Sequence, residues 1–561
     1  MPSDRPNVIL VLTDDQGYGD VSAHGNPVLE TPTIDRLGEE SVRFTDYHVE
    51  PMCTPTRGEL MTGRDALVNG ATFVCQGRRM MREDLPTLPD CFADNGYRTG
   101  HFGKWHLGDS YPHRPQDRGF HETVHHGGWG ITSIADYWGN DYCDDTYRHN
   151  DALEDYEGYC TDVWFEEAMA WMEEVHAAGE PFFCYLPTNC PHTPHWVDEE
   201  YSEPYESAVD EDVLARFFGQ IENIDDNLDR LMRWLEETGL DEETILIFMT
   251  DNGTVQGHEV FNAGMRGNKT SLYEGGHRVP FYVRWPGGDL GPGEVDALTH
   301  GPDLFPTLID LCDLDAPEEA TFDGRSLAGL LRDGERQGGS GESDNLDDRT
   351  LVVQYGPDPE KWEAAVMRGP WRLVEGEELY DLRTDPGQED DVSDEHPGVV
   401  AALREDYEDW WAEAIEAFET TKYAHLGSEA ANPVTLYSGD WKGDYADNFN
   451  NLAAGDRTGY WDVVVETAGE YTFELARWPF EAETALTAGI EGPQGEAEGI
   501  PIAEARLSVG DVDVSATVEA DDTKATFTVD LEAGETRVET LFCDADGSEL
   551  CGAYQTRVTR E

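Results

Sequence analysis

Five consecutive apolar residues, Val8-Ile9-Leu10-Val11-Leu12, run directly into Thr13-Asp14-Asp15. No other feature constrains the fold of this chain so tightly. A run this short and unbroken fits a strand covered on both faces, as in a parallel sheet with helices above and below. The pattern recurs. Thr244–Met249 leads to Thr250-Asp251-Asn252, and Pro181–Leu186 to Cys190-Pro191-His192-Thr193-Pro194. The shorter Tyr97–Phe102 leads to Gly103-Lys104-Trp105-His106. Amphipathic helix candidates, Thr161–Ala178 and Val213–Glu237, lie between them. Ligands bind beyond the carboxyl ends of the strands in an open α/β sheet, so the four polar loops are expected to meet at one crevice.

The expected fold class is therefore α/β, with a mixed, largely parallel central sheet and helices on both faces over residues 1–335. At 561 residues the chain is long enough for two or three domains. Residues 333–348 read as a polar, Gly-rich surface loop. A smaller α+β segment is expected over 349–425, with strands near Leu351–Gln354, Ala364–Arg368 and Trp371–Val374 and a helix at Val399–Ala417. From 430 to 561 the Thr/Val-rich alternation of Tyr460–Glu466, Glu470–Leu475 and Lys524–Leu531 predicts a β-sandwich module.

Charge narrows the partners. The chain carries 117 Asp plus Glu against 38 Lys plus Arg, a formal charge of −79, and only six of the 38 are lysine. Such a surface repels nucleic acid and anionic membranes, so neither is expected as a partner. It is also the surface of proteins from extreme halophiles, where molar salt shortens the Debye length to roughly 3 Å and silences self-repulsion. Ten Cys without a C-x-x-C pair suit reduced thiols. Neither a signal peptide, nor a twin-Arg signal, nor an apolar run of membrane-spanning length is visible, so a cytoplasmic location is expected.

The chemistry-bearing residues are hard and selective. Asp14, Asp15, Asp251 and Asn252 offer only oxygen ligands, the preference of Ca²⁺ or Mg²⁺. One Asp-Asp pair alone is an ordinary cap or turn; two pairs at two strand ends repel unless a cation lies between them. Two of the six lysines, Lys104 and Lys269, fall in Gly-rich stretches expected to be loops, where a compact ammonium can face an oxyanion. Cys53-Thr54-Pro55-Thr56-Arg57 reads as a turn headed by a thiol. His106 and His192 accompany these groups, whereas His101, His195, His258 and His277 read as core histidines.

Taken together, Arg5–Gly17, Cys53-Thr54-Pro55-Thr56-Arg57 with Thr62-Gly63-Arg64, Gly100–Gly108, Pro191-His192-Thr193-Pro194, Asp251-Asn252-Gly253 and Tyr273–Pro280 resemble the type I, formylglycine-dependent sulfatases of the alkaline phosphatase superfamily. Glu378–Leu382 with Asp385-Pro386 resembles that family's C-terminal subdomain. The resemblance covers about residues 5–420, in family order. It implies that a formylglycine-generating enzyme oxidises Cys53 to formylglycine, whose hydrated aldehyde is a gem-diol. One hydroxyl, bound to the metal, would attack the sulfur of a small-molecule or saccharide sulfate ester and expel the alcohol. The second would collapse the adduct and release sulfate. By the same resemblance, Asp14, Asp15, Asp251, Asn252 and residue 53 hold one divalent cation, Ca²⁺ ahead of Mg²⁺. Arg57 and Lys104 steady the diol, His106 is the base for release, and His192 and Lys269 grip the sulfate, with His192 protonating the leaving oxygen.

Two other functions fit the same motifs: a phosphonate monoester or phosphodiester hydrolase on this scaffold, and a non-catalytic binder of sulfated glycans. The second would draw on Tyr437, Trp441, Tyr460, Trp461 and Trp478, aromatics that read either as a sugar platform or as sandwich core. Asp544–Ser548 reads as a hairpin turn, although it resembles half of a calcium loop. The charge excess makes one prediction: the melting temperature rises with KCl concentration as carboxylate repulsion is screened. A melting curve flat in KCl would contradict the halophile reading.

Overall fold

The protein is described by a computed structural model over residues 5–288, 290–333 and 346–561. Its central sheet is built from β1 Asn7–Thr13, β2 Val42–Phe44, β3 Arg98–Lys104, β4 Glu122–His126, β5 Thr146–His149, β6 Ala152–Asp155, β7 Phe182–Pro187, β8 Thr244–Thr250, β9 Phe281–Arg284 and β10 Gly293–Val295. They lie in the order β10-β2-β9-β8-β1-β7-β3-β4-β5-β6. The five strands from β8 to β4 are mutually parallel, and antiparallel pairs begin on either side of them.

β1 is apolar throughout because it is covered twice. Val8, Leu10 and Leu12 pack into one core with helix α1 (Cys53–Thr62) and helix α4 (Leu304–Cys312). Ile9 and Val11 point to the opposite face, among helices α2 (Cys160–Ala178) and α3 (Asp212–Thr238). Side chains alternate across a strand, so five apolar residues in a row serve two cores at once. Helices α2 and α3 agree with the expected helices to within a residue at each end.

Two expectations need correction. Lys104 is not in a loop: the strand continues through it, because Gly103 adopts φ +125° where a Cβ would fall 2.0 Å from the Pro187 carbonyl oxygen. The Cys53 pentad is not a free turn but the opening of helix α1. Pro55 is its third residue, where the missing N–H has no intrahelical acceptor to lose. Cys53 and Arg57 therefore stand four apart on one helix face.

Beyond the central sheet, Leu351–Val353, Ala365–Arg368, Trp371–Val374 and Glu378–Asp381 form a four-stranded antiparallel sheet. Helix α5 (Pro397–Phe418) covers it through Leu403 and Tyr407. The loop expected at 333–348 lies, over 334–345, outside the described residues. The C-terminal region folds as two facing sheets around one apolar core. The strand Ala424–Leu426 joins this sandwich by pairing with Gly459–Val465, upstream of the start expected at 430. Trp441, Trp461 and Trp478 are core residues of the sandwich and Tyr437 is buried; Tyr460 lies under the Arg537 guanidinium, 3.6 Å away. The core reading holds for Tyr437, Trp441, Trp461 and Trp478, whereas Tyr460 is half-exposed on the sandwich surface. Asp544 caps its own hairpin, its Oδ1 accepting from the N–H groups of Asp546 and Ser548. No described helix is long and apolar enough to cross a membrane.

The sandwich is tied to the central unit by a buried arginine. Arg79 reaches Asp440 (2.5 Å), Asp109 (2.7 Å) and Asp447 (3.5 Å), and all four side chains are nearly or fully enclosed. Burial pushes the Asp447 carboxyl up to about 8, against the pull of Arg79. Removing the single cation from three buried carboxylates costs about 3–5 kcal/mol. Arg79→Leu is accordingly expected to lower the unfolding free energy by that amount, read as a fall in the urea midpoint at unchanged slope from the fluorescence of the buried Trp441 and Trp461. An unchanged midpoint would contradict this account of the docking.

Candidate active site

The register of the sheet brings the two acidic pairs together. Thr13 of β1 lies opposite Thr250 of β8, so Asp14 and Asp251 leave the sheet side by side. The Asp251 N–H donates to the Thr13 carbonyl (3.0 Å) and the Asp14 N–H to the Cys190 carbonyl (3.2 Å), tying β1, β8 and the loop after β7 at one point. Asp15 then turns into the left-handed region at φ 70°, a conformation Asp tolerates better than most residues. Its N–H donates to Asp251 Oδ1 (3.1 Å), and the Asn252 amide donates to Asp15 Oδ1 (2.8 Å). Gly253 is required next, since a Cβ there would meet the Gly275 carbonyl oxygen at 1.9 Å.

Three cations from three different elements answer these carboxylates. Arg57 of α1 donates from Nη2 to Asp251 Oδ2 (2.9 Å) and from Nη1 to the Lys104 carbonyl (3.0 Å). Lys104, the last residue of β3, reaches Asp14 Oδ2 at 2.5 Å. Lys269, in the loop before the Tyr273–Pro280 stretch, reaches Asp15 Oδ1 at 2.5 Å. Burial opposes charge on Asp15, but Lys269 and His192 hold its carboxyl well below the usual range. Burial and the neighbouring Asp14 push Asp251 the other way, to about 7.

Cys53 stands at the first turn of α1, 2% exposed, with Sγ 3.4 Å from His106 Nδ1. Burial pushes its thiol up despite Lys104 and Lys269, so the unmodified side chain stays protonated at neutral pH and is a weak nucleophile. His106 donates from Nε2 to the Val74 carbonyl (3.3 Å), which leaves Nδ1 as the lone-pair nitrogen facing Cys53. Burial and the adjacent Lys104 hold this imidazole neutral. His192 donates from Nδ1 to the Thr193 carbonyl (2.7 Å) and turns Nε2 toward Asp15 Oδ2 (3.6 Å). Burial pushes it down to about 3.

The donor set fits a hard cation. Asp14 Oδ1, Asp15 Oδ2 and Asn252 Oδ1 are buried and have no hydrogen-bond partner among the described residues. Ligand atoms of Asp14, Cys53 and Asp251 lie within 4.8 Å of one another, as do those of Asp14, Asp15 and His192. An orphaned buried acceptor costs about 1–3 kcal/mol, and more when charged. Oxygen-only donors of this kind suit Ca²⁺ or Mg²⁺. A second cluster, His48, Glu274 and His277, has metal-like spacing but no spare atom. His277 Nε2 donates to the Leu272 carbonyl, His48 Nδ1 meets His277 Nδ1 at 2.9 Å, and His48 Nε2 reaches Asp46. Arg372 closes the ring on Glu274 (2.7 Å) and Asp46 (2.9 Å). This buried relay pins the four-stranded sheet to the central unit.

All of the site residues named from the sequence fall in this one region. Of the histidines given a core reading, His101, His195 and His277 are buried, with His195 bonding Gln220 at 2.9 Å, whereas His258 is half-exposed and not a core residue. Three neighbours carried no sequence signal. Trp129 packs its ring 5.0 Å from His192, Asp447 binds the Trp129 indole N–H through its carbonyl (2.8 Å), and Tyr445 stands edge-on to Phe73. Each lies far in sequence from the residues it meets.

The sequence profile described as Sulfatase matches residues 6–314. An arylsulfatase of Hemicentrotus pulcherrimus is 28% identical over 380 residues, 63% of this chain and 67% of that protein. The N-acetylgalactosamine-6-sulfatase of Rattus norvegicus is 28% identical over 368 residues, 59% of this chain and 66% of that one. Among solved structures, Ps i-CgsB in complex with k-i-k-neocarrahexaose superposes with a TM-score of 0.66 at 25% identity, covering 74% of this chain and 94% of that one.

Cation binding is expected to follow the protonation of Asp251. Its carboxyl holds a proton below about 7, and a cation must displace that proton. Calcium affinity of the metal-stripped protein should therefore rise about tenfold between pH 6 and pH 8 in calorimetric titration, with proton release. Equal affinities at the two pH values would contradict the assignment of Asp251 as a ligand.

Proposed function

The chain belongs to the sulfatase family and is a sulfuric ester hydrolase, and we propose that it hydrolyses sulfate esters at Cys53, with residue 53 working as formylglycine beside one divalent cation. Asp14, Asp15, Asp251 and Asn252 would hold that cation, Ca²⁺ ahead of Mg²⁺. The observation that carries this reading is the set of three orphaned oxygens gathered beside a buried thiol at a helix N-terminus. When both groups are in place, the hydrated aldehyde supplies the nucleophilic hydroxyl and the cation lowers its pKa.

The chain's own side chains do the rest. Arg57 fixes Asp251 and, through the Lys104 carbonyl, the end of β3, so helix and sheet hold residue 53 in register. His106 presents an unprotonated Nδ1 to residue 53 and takes a proton from its side chain. Lys104 and Lys269 lie on the two sides of the Asp14–Asp15 corner; Lys104, with Arg57, would steady the hydrated residue 53, and Lys269 would stabilise charge on the sulfate oxygens. His192 is neutral in the free site; an anionic ester beside it raises its proton affinity. It then carries a proton on Nε2 to the leaving oxygen.

The neighbours' substrates suggest the class of ester. N-acetylgalactosamine-6-sulfatase is named for a sugar sulfate, and Ps i-CgsB is solved in complex with k-i-k-neocarrahexaose, which supports a saccharide sulfate for this chain. The burial of Tyr437, Trp441, Trp461 and Trp478, which leaves Tyr460 alone half-exposed, speaks against the glycan-binder alternative. Turnover of 4-nitrophenyl sulfate by protein matured with a formylglycine-generating enzyme tests the proposal. Cys53→Ala is expected to lower kcat at least about a thousandfold, with phenyl phosphonate esters the poorer substrates of the wild type. Turnover that survives Cys53→Ala, or a preference for the phosphonate, would contradict it.

A further inference from the structure

Family membership leaves the alcohol half of the ester unassigned, and the C-terminal sandwich reaches the mouth of the Cys53 site. Its segment 438–448 lies against two loops of the central unit. The first is Thr72–Arg79, where the Gln76 amide donates to the Gly443 carbonyl (2.9 Å) and Arg79 binds Asp440 and Asp447. The same loop carries Val74, the acceptor that orients His106. The second is 127–138, whose Ile134 enters the sandwich core and whose Trp138 packs against it. Gln555 of the sandwich donates to the Ile134 carbonyl (3.0 Å), closing this joint from the other side.

Two aromatic side chains stand at that joint. Trp129 is half-buried, its indole N–H fixed on the Asp447 carbonyl and its ring against His192. Tyr445 is half-buried, edge-on to Phe73 at 6.3 Å. Its hydroxyl has no hydrogen-bond partner among the described residues, and its neighbour Phe73 directly precedes Val74, the acceptor that orients His106 beside Cys53. Phe73, Val74, Trp129, His192 and Tyr445 are all half-exposed, whereas the residues behind them are buried. Tyr445 also lies beyond the residues 6–314 that match the family.

We propose that Tyr445 and Trp129 select the alcohol half of the ester and that they take a six-membered ring with polar substituents in preference to a flexible alkyl chain. The inference rests on the sulfatase reading above. Two rigid aromatic faces present a large contact area at little entropic cost, and a ring meets them with its own conformation already fixed. The free Tyr445 hydroxyl adds one hydrogen bond that a hydroxylated sugar can use and an alkyl group cannot. The sandwich is thus a wall of the substrate site, positioned by the Arg79 carboxylate cluster.

The test compares 4-nitrophenyl sulfate, galactose 6-sulfate and butyl sulfate on matured wild type, Trp129→Ala, Tyr445→Ala and Tyr445→Phe. Tyr445→Ala is expected to raise KM for both ring esters about 3- to 10-fold, the size of one aromatic contact. Its kcat, and its KM for butyl sulfate, should stay within about twofold. Tyr445→Phe should weaken the sugar ester and leave the aryl ester unchanged. Trp129 touches His192, so its KM is read apart from its kcat. Dissociation constants of the same esters with Cys53→Ala protein, which cannot turn over, should fall in the same order. Equal changes for ring and alkyl esters, or none in either KM or Kd, would overturn this inference in an active enzyme. A wild type that cleaves none of the esters would overturn the sulfatase reading, and the Kd series would still decide the role of Tyr445.

Discussion

Three carboxylates, Asp14, Asp15 and Asp251, are buried side by side at the carboxyl ends of two neighbouring strands, and the rest of the structure answers that repulsion. Each answering cation arrives on a different element: Arg57 on a helix, Lys104 at the end of a strand, Lys269 on a loop. The site therefore exists only when sheet, helix and loop are all in place. Three negative and three positive side chains leave it close to neutral. A divalent cation added alone would upset that balance; a cation with an anionic ester and a deprotonated nucleophile would restore it.

The same economy of positive charge runs through the chain. With only six lysines against 117 acidic residues, the structure encloses Lys104 fully and Lys422 almost so, and keeps Lys269 mostly covered. Lys422 donates to the Gly70 carbonyl at 2.7 Å, and burial drives its amine well below the usual range. Lysine is kept here largely where a short-range contact needs it, while arginine carries most of the remaining ion pairs.

Much of this was legible in the sequence for a physical reason. Strands β1 and β8 are continuous apolar runs because both faces are covered, and their ends are where a polar residue first becomes affordable, so Asp14, Asp15, Asp251 and Asn252 stand out. Lys104 was misassigned to a loop because a glycine beside it usually ends a strand, whereas Gly103 carries the strand through a close approach to Pro187. The Cys53 pentad read as a turn because of its proline, although proline costs nothing in the first turn of a helix. Arg79 and Asp447 gave no signal at all. They are 368 residues apart, and only packing brings the sandwich onto the catalytic unit. Of the aromatics that looked exposed, all but Tyr460 are buried in the sandwich, since a strand's alternation does not say which face is covered.

The central claim is that residue 53 works as formylglycine. The most direct measurement is the mass of the proteolytic peptide containing position 53, from protein purified out of its native host. The account predicts a peptide at the mass of formylglycine or its hydrate, with the aldehyde trapped by a hydrazine reagent. A peptide that carries an intact cysteine thiol in fully active protein would contradict it.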